Sequence, residues 1–147
     1  MSATDAYLPA GLPAPASEAL DETYWSAATD HRLMIQCCQG CGRHQWGPEW
    51  ICNKCRSFDL EWVEVEPRGV IYSWERIWHP VHPALVEACP YVVVLVELPH
   101  ADGVRMVGNL LGDPTEEVQI GSEVEGVFED HPECEPPYTL VQWRRLP

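Results

Sequence analysis

Along this chain apolar residues recur at helical spacing only once, near the start. Leu20, Tyr24 and Ala28 fall on one face, Trp25 lies to the side, and Ser17 can cap the segment with Glu18, Asp21 and Glu22 near its positive end. The spacing predicts a short amphipathic helix from Ser17 to about Ala28, too short to persist without a surface to pack on. Everything after it reads as strand and turn. Leu33-Met34-Ile35 is a brief strand, Trp46-Gly47-Pro48 a turn, and Trp50-Ile51 a return strand. Val63 and Val65 alternate with Glu64 and Glu66, and Gly69 opens a long strand whose even positions carry Val70, Tyr72, Trp74 and Trp78. A stretch rich in Pro and His, His79 to Pro90, precedes a buried-looking strand, Tyr91 to Leu98. Further strands are expected at Val104–Leu111, Val118–Ile120, Glu123–Phe128 and Tyr138–Trp143, with a turn at Ala101-Asp102-Gly103.

The pattern predicts a mainly β protein. About five strands of meander with glycines near their ends suit a small closed barrel of the OB type. Three parts are expected. Residues 1–16, with Pro9, Pro13 and Pro15, form a flexible Ala/Pro-rich arm that stays mobile or lies along a partner. Residues 17–60 hold the helix and a metal ribbon, and residues 61–147 the barrel.

The ribbon is read from four cysteines. Cys38-Gln-Gly-Cys41-Gly42 and Cys52-Asn-Lys-Cys55 are two Cys-x-x-Cys turns ten residues apart, the arrangement that tetrahedral zinc requires. Each turn offers two sulfurs, and the spacer folds back to join them. Gly42 suits the backbone conformation in which the chain leaves such a turn. Iron would fit the same four sulfurs. Two disulfides are the alternative, and they would need an oxidising compartment for which the sequence gives no sign. A redox-active Cys-x-x-Cys is expected once, beside a βαβ pattern, and here it occurs twice without one. With four thiolates the coordination sphere is closed, so the metal is expected to be structural. Cys37 and His44 are competing ligands by position, but the two-residue spacing favours Cys38, and four cysteines leave His44 unneeded.

Charge narrows the function. Nine Lys and Arg stand against 23 Asp and Glu, a formal net charge of −14. Nucleic-acid binding rests on phosphate neutralisation by cations, so no nucleic-acid partner is expected. The apolar run Val92–Val96 is too short to span a bilayer, and the N-terminal residues show no basic segment followed by an apolar core. A cytoplasmic protein with no membrane association is expected, with Cys37, Cys89 and Cys134 as free thiols.

The order of motifs resembles one family. Tyr24-Trp25 on a helix, Cys38-x-x-Cys41-Gly42, an aromatic-Gly-Pro turn, Cys52-x-x-Cys55 and Gly69-x-Ile71-Tyr72-Ser73 come first. Pro90-Tyr91-Val92-Val93 with Glu97-Leu98, Gly108-Asn109-Leu110, Ile120-Gly121 and Val124 follow. Over roughly residues 17–147 this is similar to the zinc-ribbon plus OB-fold proteins catalogued as domain of unknown function thirty-five. The resemblance implies a rubredoxin-like zinc module, and a barrel that docks on a thiolase-like catalytic subunit acting on acyl-CoA thioesters. It implies a non-catalytic accessory subunit of a thiolase, acyltransferase or aldolase, in a hetero-oligomer of two plus two or larger, with acyl-CoA held mainly by the partner. Cys37 and the length of the His79–Pro90 stretch depart from many members.

Several residues carry competing expectations. His79 and His82 could form an acid–base pair or be surface histidines. Cys89 could attack a thioester or simply pack. Trp74 and Trp78 are expected to fill the barrel, and would mark an interface if exposed together. Tyr24 and Trp25 pack either on the partner or on this chain. Glu129, Asp130, Glu133 and Glu135 read as a solvated acidic loop. No catalytic residue is assigned. The other functional class is a stand-alone ribbon and OB module for a small acyl or single-stranded ligand held on aromatic faces.

Overall fold

The computed structural model describes residues 6–147; residues 1–5 of the expected arm lie outside them. Helix α1 spans Glu22–Thr29 and eight strands follow: β1 Leu33–Cys38, β2 His44–Gln45, β3 Leu60–Val65, β4 Arg68–Ile77, β5 Tyr91–Leu98, β6 Val104–Asn109, β7 Glu123–His131 and β8 Tyr138–Arg145. They form two antiparallel sheets. One is three-stranded in the order β2-β1-β3, and the other five-stranded in the order β6-β5-β4-β7-β8. The Leu110–Trp143 bridge, with the Leu111 amide donating to the Trp143 carbonyl at 2.7 Å, brings the two edges of the larger sheet together into a nearly closed OB-like barrel.

The core runs through both sheets. Leu33 and Ile35 of β1 join Ile71, Val92, Val94, Val96, Leu98, Met106, Val124 and Trp143 in one buried cluster. Strand β5 spans Tyr91–Leu98 as the sequence predicts, and its even positions Val92 to Leu98 are buried. Gly108 sits where a Cβ would come within 2.7 Å of the Trp143 ring, so only glycine lets β6 approach that indole.

Strand β4 breaks its expected alternation. Its register against β5 shifts between Ile71 and Ser73, a β-bulge. Ile71 is buried, Tyr72 and Ser73 are both exposed, and Trp74 turns back toward the core. The extra residue exchanges the two faces partway along the strand. Barrel filling therefore holds for Trp74, half-buried beneath the Arg76 guanidinium 5.2 Å from its ring. It fails for Trp78, which lies beyond the strand end and is 60% exposed.

Three other expected elements differ. The helix begins at Glu22, not Ser17. Asp21 stands at its N-cap without a side-chain cap bond, because its carboxylate accepts from the Glu18 amide at 2.8 Å and closes a turn there. Trp50-Ile51 is not a strand; the short return is made by β2, pairing Gln45 with Gln36. Val118–Ile120 is irregular, because the neighbouring Gly121 amide and Ser122 carbonyl bond Ile71 as a turn across the bulge.

Tyr24 of α1 is buried in the common core, and Trp25 packs against it. Burial pushes the Tyr24 hydroxyl up to about 12. The helix aromatics thus belong to this chain's own core, which overturns the option of Tyr24 packing on a partner.

Candidate metal centre

Strand β1 ends at Cys38, which delivers the first thiol to the end of the small sheet's central strand. Gly40, Cys41 and Gly42 turn the chain back into β2, with the Gly42 amide donating to the Cys38 carbonyl at 2.7 Å. The second turn repeats this design, the Arg56 amide donating to the Cys52 carbonyl at 3.1 Å. Both turns leave through the left-handed region, Gly42 at φ 74° and Arg56 at φ 68°.

The sulfurs of Cys38, Cys41, Cys52 and Cys55 all lie within 4.8 Å of one another. Cys38–Cys55 is 3.5 Å and Cys41–Cys52 is 3.7 Å. A disulfide needs about 2.05 Å, so these are not bonded pairs. A tetrahedral ion about 2.3 Å from each sulfur sets sulfur–sulfur edges of roughly 3.8 Å, and the cluster has that size. Cys38 and Cys52 are buried, Cys41 and Cys55 exposed.

The amides around the cluster favour thiolate. Backbone N–H groups of Cys55 and Lys54 point at the Cys52 sulfur, 3.5 and 3.4 Å away, and hold its thiol down to about 6. The Cys41 amide, foremost, lowers Cys38 in the same way. At Cys55 the Ser57 amide pulls downward but is outweighed by the other three sulfurs and by desolvation, which push it up to about 11. Four negative sulfurs cannot share this space unaided; a cation at their centre resolves the conflict. The donor set and geometry fit a metal ion.

A buried amide network that sequence reading passed over sets the second turn. Gln45 Nε2 donates to Gln36 Oε1 and to the Ile51 carbonyl, while its Oε1 accepts from the Asn53 amide at 3.0 Å. Gln36 clasps both backbone groups of Glu49 at 3.0 Å. Two glutamines thus fold the spacer without regular secondary structure. Their only sequence signal is an amide at each of two paired positions on short strands.

His44 faces away from the sulfurs. Its amide and its Nδ1 both meet Asp102 Oδ2 at 2.8 Å, tying β2 to the β5–β6 turn. The His44 amide, then its imidazole, hold the Asp102 carboxyl below its usual range. Cys37 points to the opposite side of β1 from Cys38, with Sγ 3.5 Å from the Gly42 carbonyl, and burial, foremost, raises its thiol.

The other candidates do not assemble into a catalytic site. His82 Nδ1 accepts from the Ala84 amide at 3.1 Å and caps the 3-10 turn Pro83–Ala88, whereas His79 is exposed and unpaired with it. Cys89 is half-buried and makes no side-chain hydrogen bond among the described residues. The acidic loop is not uniformly solvated. Glu129 lies within β7, 1% exposed, 2.7 Å from His131 Nε2, and accepts from the amides of Tyr7 and Leu8. That carboxylate holds residues 7 and 8 of the arm against this chain's own barrel. Asp130 beside it meets His31 at 2.8 Å and Thr139 at 2.7 Å. Strand β7 continues past Phe128 to His131, which carries both carboxylates into the sheet.

With ribbon and barrel in place, comparison with known proteins becomes specific. Residues 25–61 match the rubredoxin-like zinc ribbon domain of ChsH2, and residues 62–129 its C-terminal OB-fold domain. The chain belongs to the DUF35 family of zinc-ribbon and OB-fold proteins, in its ChsH2 form. It is 41% identical over 127 residues to a probable enoyl-CoA hydratase alpha subunit of Thermomonospora curvata, covering 84% of this chain but only 37% of that subunit. It is 33% identical over 92 residues to a DUF35 domain-containing scaffold protein of Methanothermobacter thermautotrophicus, covering 62% of this chain and 67% of that protein. Among solved structures it resembles a chain of the Ltp2-ChsH2(DUF35) aldolase, with TM-score 0.77 and 36% identity over 90% of this chain and 98% of that one. No helix among the described residues is long and apolar enough to cross a membrane.

Proposed function

We propose that this chain is a non-catalytic, zinc-binding accessory subunit of a thiolase-fold enzyme that forms or cleaves a C–C bond of an acyl-CoA substrate. The observation that carries this reading is the likeness along nearly the whole chain to the ChsH2 part of an aldolase complex. The scaffold name of one relative and the alpha-subunit name of another point the same way. Cys38, Cys41, Cys52 and Cys55 hold the metal. Bound zinc supplies a structural cross-link and a positive charge, with no open position for substrate. Gln36 and Gln45 fix the second turn, and the His44–Asp102 contact seats the ribbon on the barrel. The subunit's contribution is geometric: it positions the partner's loops and keeps water from the acyl-CoA entrance. The catalytic groups and most contacts to CoA phosphate belong to the partner, in a hetero-oligomer of two plus two or larger.

The test is co-expression with a candidate thiolase-fold subunit from the same genome. A stable complex, turnover of acyl-CoA only when both subunits are present, and one zinc per chain by elemental analysis are expected. Turnover by this chain alone, abolished by Cys89→Ser or His79→Ala, would refute it.

One observation favours the alternative of a stand-alone binding module. A cleft of about 550 Å³ lies between the arm, α1 and the β7–β8 hairpin, lined by Pro15, Trp25, Pro136, Pro137 and Tyr138. This volume and apolar lining suit a small acyl or aromatic ligand. A chain that stays monomeric beside the candidate partner and binds a short acyl thioester by calorimetry would establish that reading instead.

A further inference from the structure

The cations of this acidic chain are unevenly distributed. Four of the nine are ion-paired: Arg32 with Glu64, Arg105 with Glu97, Arg144 with Glu125 and Arg145 with Glu116. Arg76 is bound to the carbonyls of Pro114 and Glu116 at 2.7 Å. Of the four left without an ion pair among the described residues, three surround the cysteine cluster. Arg43 lies two residues after Cys41, Lys54 sits between Cys52 and Cys55, and Arg56 follows Cys55; all three side chains are exposed. The two turns that carry them are joined through the four sulfurs, so the three cations ring one end of the ribbon. Between Cys38 and Phe58 Glu49 is the only carboxylate, whereas the remainder of the chain carries the acidic excess.

Two large apolar side chains flank the second cysteine turn in sequence. Trp50, two residues before Cys52, is 65% exposed, and Phe58, three after Cys55, is 79% exposed. Neither belongs to the core cluster. Aromatic rings and arginines on one exposed surface are the composition of an interface centre rather than of a solvated loop.

Arg56 adds an independent observation. It occupies the left-handed position that Gly42 fills in the first turn, at φ 68°, where a side chain is disfavoured. Glycine there would relax the backbone, and the Arg56 side chain makes no hydrogen bond or ion pair among the described residues that would offset the strain. Strain kept at an exposed cation points to a contact made outside the chain.

We infer that the tip of the ribbon, formed by Arg43, Trp50, Lys54, Arg56 and Phe58, is a docking surface for a protein partner that presents an apolar pocket rimmed by carboxylates. Charge complementarity selects this occupant: the tip has surplus cations and the rest of the molecule does not. A bound metal with four thiolates carries two negative charges, which these cations also offset, so metal retention is a necessary control. The inference rests on the accessory-subunit reading, and identifies where and by what chemistry the catalytic subunit is met.

The test uses the full chain, a purified candidate thiolase-fold subunit from the same genome, and titration at two salt concentrations. Arg56→Gly is the most discriminating variant, because it relieves strain while removing the cation. It is expected to keep its zinc and its thermal stability, and to bind the partner several-fold more weakly. The triple charge reversal Arg43→Glu, Lys54→Glu, Arg56→Glu should weaken binding at least about tenfold and remove most of its salt dependence. Trp50→Ser with Phe58→Ser should weaken it comparably at either salt concentration. If the wild-type chain binds the partner and zinc-loaded variants bind equally well, the docking surface is elsewhere and the inference fails while the accessory role stands. If the variants lose zinc before they lose partner, the cations serve the metal and the inference also fails. If they bind partner normally but the triple variant loses binding of free coenzyme A by the isolated chain, the cations read CoA phosphates rather than a protein rim. If the wild-type chain binds no thiolase-fold subunit, the accessory reading itself falls.

Discussion

Ribbon and barrel share a core at Leu33 and Ile35, yet they are held together by different means. The barrel rests on apolar burial, with Val92, Val94, Val96, Leu98 and Trp143 enclosed by a nearly continuous ladder of backbone bonds. From Gln39 to Asp59 the ribbon has two residues of strand and few buried side chains, and it is closed by Gln36, Gln45 and the four sulfurs. A segment with so little apolar area to bury cannot order itself by the hydrophobic effect, so its order depends on local polar closure and on a metal. One sequence thus uses two kinds of cohesion, and a perturbation aimed at either should leave the other largely intact.

The largest separation should come from the metal. Structural zinc binding contributes about 10–16 kcal/mol in isolated zinc modules. Cys52→Ala, or a strong chelator, should therefore abolish the metal and disorder residues 39–59. Hydrogen exchange should then rise across the ribbon and stay low in β5 and β7. Cys37→Ser should leave the metal content unchanged. In the opposite direction, Trp143→Ala should cost the barrel about 3–5 kcal/mol, read as a lower denaturation midpoint, while one zinc per chain is retained at low denaturant.

A smaller effect tests the polar half of the ribbon. Gln45→Ala leaves the Asn53 amide and the Ile51 carbonyl without this partner and removes one of the two donors to Gln36 Oε1, at roughly 1–3 kcal/mol. It should weaken metal retention in competition with a chelator without touching the barrel's midpoint. Smallest is the clamp between the two regions. Asp102 titrates below its usual value when His44 is bound, so its contribution is complete above the ordinary carboxylate value and fades as pH falls through the lowered one. Amide exchange at His44 should therefore quicken below about pH 4 in the wild-type chain, and Asp102→Asn should flatten that dependence.

The same contrast explains what the sequence revealed. Four cysteines at fixed spacing are a local signal, and they meet as the spacing implies. Strand β5, buried on alternate positions, was legible from end to end for the same reason. The parts that misled depend on distant partners. Nothing in Gly69 to Trp78 announces that Tyr72 and Ser73 share a face; the bulge exists because Gly121 and Ser122, some fifty residues on, bond to Ile71. Glu129 reads as one more acid in an acidic stretch, and its burial follows from His131 two residues later and from the arm folding back across the barrel. Tyr24 looked free to leave the chain because Trp46, whose ring centroid is 4.7 Å away, lies on the far side of the first cysteine turn.

The Asp102 contact also has a mechanical side. The ribbon leaves the barrel through the two residues between β3 and β4, where the Pro67 carbonyl accepts from the Gly126 amide and the Glu66 carbonyl meets His100. His44 and Asp102 form a second attachment on the β5–β6 turn. Together with the core shared at Leu33 and Ile35, these attachments leave the ribbon no free swivel about the β3–β4 link. A load applied to the ribbon tip would therefore reach the barrel as a torque on the β5–β6 turn rather than be lost in a loose tether.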